Sequence, residues 1–227
     1  KARAHYNLGF YLQHSGQIER AKAEYLQAIE LHPDYNEPLN NLGVIYWEQG
    51  EIDKAEAAFK TIIEKNPGSA FAYTNLGLIY KGRGEVDKVE AALMSAINAD
   101  PNYVLAYNNL GLSYLDRGEY AKAADVFQRV IELTPDSAEA YYYLGMSYIS
   151  NNRYTEAISP FRKAIELRPD YAEAHNNLGN IYAIQGNYDK ALAEYKAALA
   201  INPDYQEVKD NIQLLQGTQT GTGGGQR

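Results

Sequence analysis

The chain carries four histidines, and none of them is placed like a catalytic or metal-binding group. His5 and His14 lie too far apart along one predicted helix to share the i, i+4 face that holds zinc. His32 directly precedes a proline, and His175 lies far along the chain, so no Ser-His-Asp arrangement follows from these positions. Cysteine is absent, which excludes disulfides, thiolate metal sites and cysteine nucleophiles.

Carboxylates and glycines also point away from catalysis. Many carboxylates, such as Glu51 and Asp53, stand near the start of predicted helices, where they complement the helix dipole. Before the C-terminal tail every glycine is single, so no phosphate-binding loop is present. We therefore expect no enzyme, no metal site and no cofactor.

The charge balance restricts the class of partner. Lys and Arg number 21 against 29 Asp and Glu, a net charge of −8, which argues against nucleic-acid binding. No run of apolar residues is long enough to cross a membrane. The cytoplasm is the favoured location, and a secreted or extracellular one stays open because the native N-terminus can lie upstream of Lys1.

Asparagine is the residue type whose spacing suggests a binding function. A primary amide donates and accepts hydrogen bonds at once, so a row of amides can hold the backbone of an extended peptide. Five asparagines recur in a series with a step of 34 residues, in which Tyr143 takes one place: Asn7, Asn41, Asn75, Asn109 and Asn177.

Other residues repeat with the same step, which shows that the whole chain is periodic. Prolines form one series: Pro33, Pro67, Pro101, Pro135, Pro169 and Pro203. Glycines that follow a leucine form another: Gly9, Gly43, Gly77, Gly111, Gly145 and Gly179. Turn glycines form a third, in which Asn152 replaces glycine once: Gly16, Gly50, Gly84, Gly118 and Gly186. Each period predicts two helices, as in 37–49 and 53–65, where apolar residues follow helical spacing.

These residues resemble the tetratricopeptide repeat, whose signature has Leu-Gly, Tyr, Ala, Phe and Pro at set places. The fourth period shows the match: Tyr107, Leu110, Gly111, Tyr114, Gly118, Tyr120, Ala123, Phe127 and Pro135. The resemblance implies an all-α, right-handed superhelical solenoid of antiparallel helix pairs.

Six repeats span residues 1–205. Counted from residue 2, they are 2–35, 36–69, 70–103, 104–137, 138–171 and 172–205. Residues 206–216 predict a polar capping helix, because Ile212-Gln213 replaces Leu-Gly. Residues 217–227 form a Gly/Thr-rich tail that we expect to be disordered.

The resemblance also implies which residues face the concave groove formed by the first helices. We number the places in each repeat from its first residue; places 2, 5, 6, 9, 12 and 13 face the groove in the family. The amide series lies at place 6, and place 5 adds Asn40, Asn108 and Asn176. The apolar groove residues, among which Trp47 is the predicted hot spot, are Trp47, Phe71, Leu78, Leu105, Leu112, Leu115, Met146 and Ile149.

The sequence therefore predicts a protein-interaction scaffold that binds an extended segment of a partner protein. The groove resembles the asparagine-lined repeat array of the O-linked N-acetylglucosamine transferase. Two alternative interpretations remain: the asparagines tie neighbouring helices together, and Trp47 packs against a neighbouring helix. The carboxylate clamp of chaperone-tail adaptors in this family is missing, since only Arg3 is basic at the corresponding places.

Two further functions stay open. Tyr6, Phe10 and Tyr11 at the first repeat could support head-to-tail self-assembly into filaments, with the tail held by a neighbour or carrying O-linked sugars at Thr218, Thr220 and Thr222. The chain could also be the repeat segment of a larger enzyme.

Tyrosine is the commonest aromatic residue, with 21 Tyr against 5 Phe and 1 Trp. Most of these tyrosines stand at repeated places, where an aromatic ring with a polar tip suits a thin two-layer array. Tyr6, Tyr142 and Tyr143 instead fall on groove places.

Overall fold

The computed structural model describes the backbone of residues 1–221 and the side chains of residues 1–217. This part of the chain is all-α, as predicted, and forms thirteen helices. Their bounds are α1 (Ala2–His14), α2 (Ile18–Leu31), α3 (Asn36–Glu48), α4 (Ile52–Lys65), α5 (Ala70–Gly82), α6 (Val86–Ala99), α7 (Val104–Asp116), α8 (Tyr120–Leu133), α9 (Ala138–Ser150), α10 (Tyr154–Leu167), α11 (Ala172–Ile184), α12 (Tyr188–Ile201) and α13 (Gln206–Gly221).

The described residues form two compact units, Lys1–Leu110 and a second that begins at Gly111, so that the boundary falls within α7. In the first unit, α1 packs on α2, α3 on α4 and α5 on α6. In the second unit, α9 packs on α10 and α11 on α12, and α13 packs on α12. Within each unit, the second helix of a pair also packs on the first helix of the next pair. This connectivity agrees with the helix pairs that the repeats predict.

The turn inside each pair requires a backbone that most residues avoid. Gly16, Gly50 and Gly118 have φ between 74° and 78° there. Asn152 adopts the same conformation with φ of 58°, as the sequence predicts, because asparagine tolerates the left-handed region better than other non-glycine residues.

The two helices of a pair cross at a glycine that lies against a ring. A Cβ atom built on Gly43 would lie 2.9 Å from Cζ of Phe59, and one on Gly145 would lie 2.7 Å from Cζ of Phe161. The ring of Phe59 contacts Gly43 of its own pair. It also meets the ring of Phe71 in the next pair, with the centroids 6.1 Å apart.

Tyrosines at place 11 carry cations over their rings. Lys22 and Lys54 both lie 5.3 Å from the ring centre of Tyr46, and the guanidinium of Arg153 lies 4.6 Å from that of Tyr148. Such pairs contribute roughly 0.5–1 kcal/mol each at exposed sites. The tyrosines of this series therefore bind cations in addition to the packing role expected for them.

The last helix, α13, continues past its predicted end at Gln216 to Gly221, into the segment expected to be disordered. Val208 and Leu215 are its buried anchors. No proline follows to stop the helical hydrogen-bond ladder. Thr218 and Thr220 belong to α13, but their side chains lie outside the described residues, and so does Thr222 altogether. O-glycosylation at these threonines remains a prediction.

Candidate functional site

The place-6 asparagines of the first unit differ in how they use their amides. Asn75 and Asn109 each donate from Nδ2 to a carbonyl of their own helix, those of Phe71 and Leu105, at 2.9 Å and 2.8 Å. These amides keep an oxygen and a second N–H for other contacts.

Asn41 and Asn7, which also stand at place 6, make different contacts. Asn41 donates to the hydroxyl of Tyr25 in the preceding pair at 3.0 Å, so here the amide ties neighbouring helices together. Asn7 is exposed and lines a pocket beside Arg3 and Tyr35.

The place-5 amides depend on the repeat that follows them. Asn108 is half-buried. Asn40 has a buried Oδ1 with no hydrogen-bond partner among the described residues. The equivalent Asn176 donates to Oε1 of Glu207 at 2.9 Å. One repeat after Asn40, the place of Glu207 is taken by Phe71, which offers no polar group.

Most predicted apolar groove residues are only partly exposed. Trp47 and Phe71 pack against the core formed by α4 and α5, and Leu78 is half-buried. In the second unit Met146 and Ile149 pack against its core, and Leu112 and Leu115 are half-buried. Leu105 is the candidate that is largely exposed. Most of the predicted apolar groove residues therefore leave only part of their side chains accessible to a ligand.

The second unit contains a pocket of about 420 Å³ on its first-helix face, lined by α9, α11 and α13 together with Tyr154 and Tyr195; we call it the C-terminal pocket. Its apolar wall includes Ile184 and Leu214, whose side chains are 63% and 70% exposed. The residues that line it are Ile149, Tyr154, Asn177, Asn180, Ile181, Ala183, Ile184, Tyr195, Asn211 and Leu214.

A hydrogen-bond network orients the amides of this pocket. Tyr195 donates to Oδ1 of Asn180 at 2.7 Å, and Nδ2 of Asn211 donates to the same oxygen at 3.1 Å. Burial raises the pKa of Tyr195 to about 12, so the phenol stays protonated and acts as a donor at neutral pH. Asn177 donates to the hydroxyl of Tyr142 at 3.3 Å. This pattern leaves the amide nitrogen of Asn180 and the amide oxygens of Asn177 and Asn211 for a ligand.

Among the residues that line this pocket, the sequence predicts Asn177 and Ile149 as binding residues and puts Asn180 at groove place 9, but it does not single out Ile184, Asn211 or Leu214. The signal that finds Asn211 and Leu214 is the repeat register, when it is continued into α13. Asn211 and Leu214 occupy places 6 and 9 when the numbering continues into α13. The sequence pattern by itself predicts only a capping role for this helix.

His175 replaces a packing tyrosine, and the structure adds an ion pair to that role. Its Nδ1 lies 2.6 Å from Oε2 of Glu194, and its Nε2 lies 3.3 Å from the carbonyl oxygen of Pro169. Tyr107 at the same repeat place donates to the carbonyl of Pro101. Both partners of His175 are acceptors, so the protonated ring satisfies both. The hydrogen bond with Glu194 raises the pKa of His175 above its usual 6.5.

This arrangement predicts that stability depends on pH near neutrality. A raised folded-state pKa adds stability that is complete below about pH 6.5 and is lost as pH rises through the raised value. Thermal melts between about pH 6 and pH 9 should therefore show a falling midpoint in the native chain. His175→Tyr should flatten this slope while keeping the contact with Pro169. An equal pH dependence of the melting midpoint in both proteins would show that the pair of His175 and Glu194 contributes nothing to stability.

Within residues 1–217, no three His, Asp or Glu side chains come close enough together to hold a metal ion. In the same part of the molecule, every helix is too short or too polar to cross a bilayer.

The chain is similar to several solved structures. YrrB, a TPR protein with an unusual peptide-binding site, is 25% identical and has a TM-score of 0.71, with 83% of this chain and 97% of that chain covered. MamA is 28% identical with a TM-score of 0.67, over 73% of this chain and 97% of that chain. PilF of Pseudomonas aeruginosa, at 17% identity and a TM-score of 0.75, covers 92% of this chain and 95% of its own, and shares the fold.

No curated protein matches the chain by sequence. The family model for the tetratricopeptide repeat matches residues 1–70, 74–138, 108–172 and 144–205, which together take in nearly all of the repeats. The chain therefore belongs to the tetratricopeptide repeat family.

Proposed function

We propose that this protein is a non-catalytic scaffold that binds an extended segment of a partner protein along its first helices. Tetratricopeptide repeat proteins generally mediate contacts between proteins, and a similar solved protein has a peptide-binding site. The observation that carries the proposal is the C-terminal pocket, where oriented amides lie beside exposed aliphatic side chains.

The pocket offers what an extended backbone needs. The oxygens of Asn177 and Asn211 can accept from a peptide N–H, and the nitrogen of Asn180 can donate to a peptide carbonyl. Asn75 and Asn109 present similar spare groups on the first unit. Backbone contacts of this kind tolerate many side chains, so apolar contacts must supply part of the selectivity.

The test is selection of binders from a phage-displayed library of random peptides, followed by fluorescence anisotropy with the selected sequences. Replacing Asn75, Asn109 and Asn177 by alanine together should weaken binding at least about tenfold, since each lost hydrogen bond contributes about 1 kcal/mol. Asn98→Ala, at an exposed place on α6, is the matched control and should bind normally. Circular dichroism should show unchanged helicity in both variants.

Two results would contradict the proposal. One is failure to select any peptide with the folded protein. The other is an affinity of the triple variant equal to that of Asn98→Ala, which would remove the amide grip from the mechanism.

Self-assembly is a second candidate, supported by the exposed apolar residues of α1. Tyr11 is 68% exposed, whereas Ile45 at the same repeat place is 1% exposed under α2. A contact that continued the array would pair this face with the polar residues Lys209, Asp210 and Gln213 of α13. Sedimentation velocity at high protein concentration tests the idea, and a single monomeric species would reject it.

A further inference from the structure

The C-terminal pocket lies beside acidic side chains, which favour a ligand with positive charge. On α11, Glu173 precedes Asn177 and Asn180 with the spacing that places all three on one helix face. On α13, Glu207 precedes Asn211 and Leu214 with the same spacing. The first-helix face of the second unit therefore carries a carboxylate, an amide and an apolar or amide group in the same order on both helices.

Hydrogen bonds show that these helices lie side by side. Asn211 of α13 donates to the oxygens of Asn176 and Asn180 of α11, at 3.2 Å and 3.1 Å. Asn177 of α11 reaches α9 through Tyr142 and through Sδ of Met146. Equivalent repeat places thus lie side by side across α9, α11 and α13, with Tyr143 and Met146 of α9 at the two places where α11 has amides.

The spacing of these repeat places sets the register of a ligand. Packed helices lie about 8–10 Å apart, and an extended chain in the polyproline II conformation advances about 3.1 Å per residue and returns every third side chain to the same side. A bound segment therefore meets the next carboxylate after about three residues.

The carboxylates of α11 and α13 are poorly compensated. Glu173 is exposed, and Glu207 accepts a hydrogen bond from the neutral amide of Asn176. Glu139, which holds the same place on α9, is neutralised by an ion pair with Arg168. Lys209 is the one lysine or arginine in the sequence of α9, α11 and α13. This local excess of negative charge agrees with the net charge of −8.

We infer that the C-terminal pocket binds an extended segment that has Lys or Arg at about every third residue and an aliphatic side chain between them. The inference rests on the proposed function and adds the chemistry of the ligand. The cationic groups pair with Glu173 and Glu207, and the aliphatic side chain enters between Ile184 and Leu214. The negative field also steers a basic segment toward the protein before contact.

The test uses labelled synthetic peptides of about twelve residues, a length sufficient to cross α9, α11 and α13. The parent peptide has a Gly/Ser background, lysine at every third position and one leucine. One matched peptide replaces every lysine by glutamate, and another replaces the leucine by serine. Fluorescence anisotropy with the full chain should show affinity for the parent at least about tenfold above that of the acidic peptide, falling with salt.

Protein variants locate the effect. Glu173→Gln with Glu207→Gln should reduce the preference for the basic peptide about fivefold or more, as loss of two close charge pairs predicts. Leu214→Ser should weaken the leucine peptide and leave the serine peptide unchanged. Glu64→Gln, at an exposed place on α4, is the charge-matched control and should change neither value.

The outcomes separate this inference from the proposed function. Equal affinity for the basic and acidic peptides, or no effect of the double glutamine variant, overturns the inference while peptide binding stands. Binding of library-selected peptides without binding of the lysine peptide also overturns it. Failure of every peptide, selected or designed, overturns the proposed function and the inference together.

Discussion

Gly145→Ala is expected to lower the free energy of unfolding by about 1–3 kcal/mol, the usual cost of forcing extra volume into a packed core. The new methyl group would lie 2.7 Å from Cζ and 2.8 Å from Cε2 of Phe161, closer than Cβ contacts in real proteins. The ring of Phe161 is fully buried, so it cannot swing away. Urea denaturation followed by circular dichroism measures the change.

The matched control is Gly82→Ala near the end of α5. A Cβ atom at Gly82 meets nothing within 4 Å, and its φ is not positive. Because alanine favours the helix over glycine, Gly82→Ala should be neutral or stabilising by up to about 1 kcal/mol. Equal destabilisation by both substitutions would show that the loss comes from elsewhere than the helix crossing.

A second substitution should rescue the first. In the third repeat Gly77 faces Leu93, where a built Cβ atom lies 3.0 Å from the nearest leucine carbon. A leucine side chain can change rotamer, whereas a phenylalanine ring is rigid. Gly145→Ala should therefore cost less stability in a Phe161→Leu background than in the native chain. Strict additivity of the two changes would contradict a direct contact.

Val208→Asp is expected to release α13 from the second unit. Val208 is 0% exposed and belongs to a core cluster that also contains Ile181 and Tyr195. A buried carboxylate without a partner costs roughly 3 kcal/mol or more, and detachment of the helix avoids this cost by exposing the cluster to water. Hydrogen exchange should show loss of protection in α13 and the adjoining part of α11, with a lower melting temperature.

Gln213→Asp is the control for charge, since Gln213 is exposed on the same helix. It should leave exchange and melting temperature almost unchanged. If Val208→Asp kept the exchange rates of the native chain, the burial of Val208 would not be what attaches α13 to the second unit. The same variant should also lose the C-terminal pocket, because Asn211 and Leu214 come from α13.

Features that recur in every period could be predicted from the sequence. The helix pairs, the positive φ at Gly16 and Asn152 and the close approach at Gly43 each depend on residues within one repeat. In solenoids each repeat contacts only its neighbours, so a local pattern is enough to specify the local fold.

The candidate binding site, in contrast, depends on residues that depart from the repeat pattern. Asn40 and Asn176 occupy the same place, yet one has a buried oxygen without a partner and the other is bonded to Glu207. A similar difference separates Asn41, which bonds Tyr25, from Asn75, which bonds its own helix. No periodic signal distinguishes these cases, because each depends on the side chain that a neighbouring helix presents.

By itself, then, the sequence determined the family, the all-α class and the absence of cysteine chemistry. The tertiary structure decided which amides remain available and placed the C-terminal pocket where α13 meets α11. The physical reason is that backbone conformation follows local residue types repeated along the chain. A binding site instead follows from hydrogen bonds left unused after packing, which only the neighbouring helices determine.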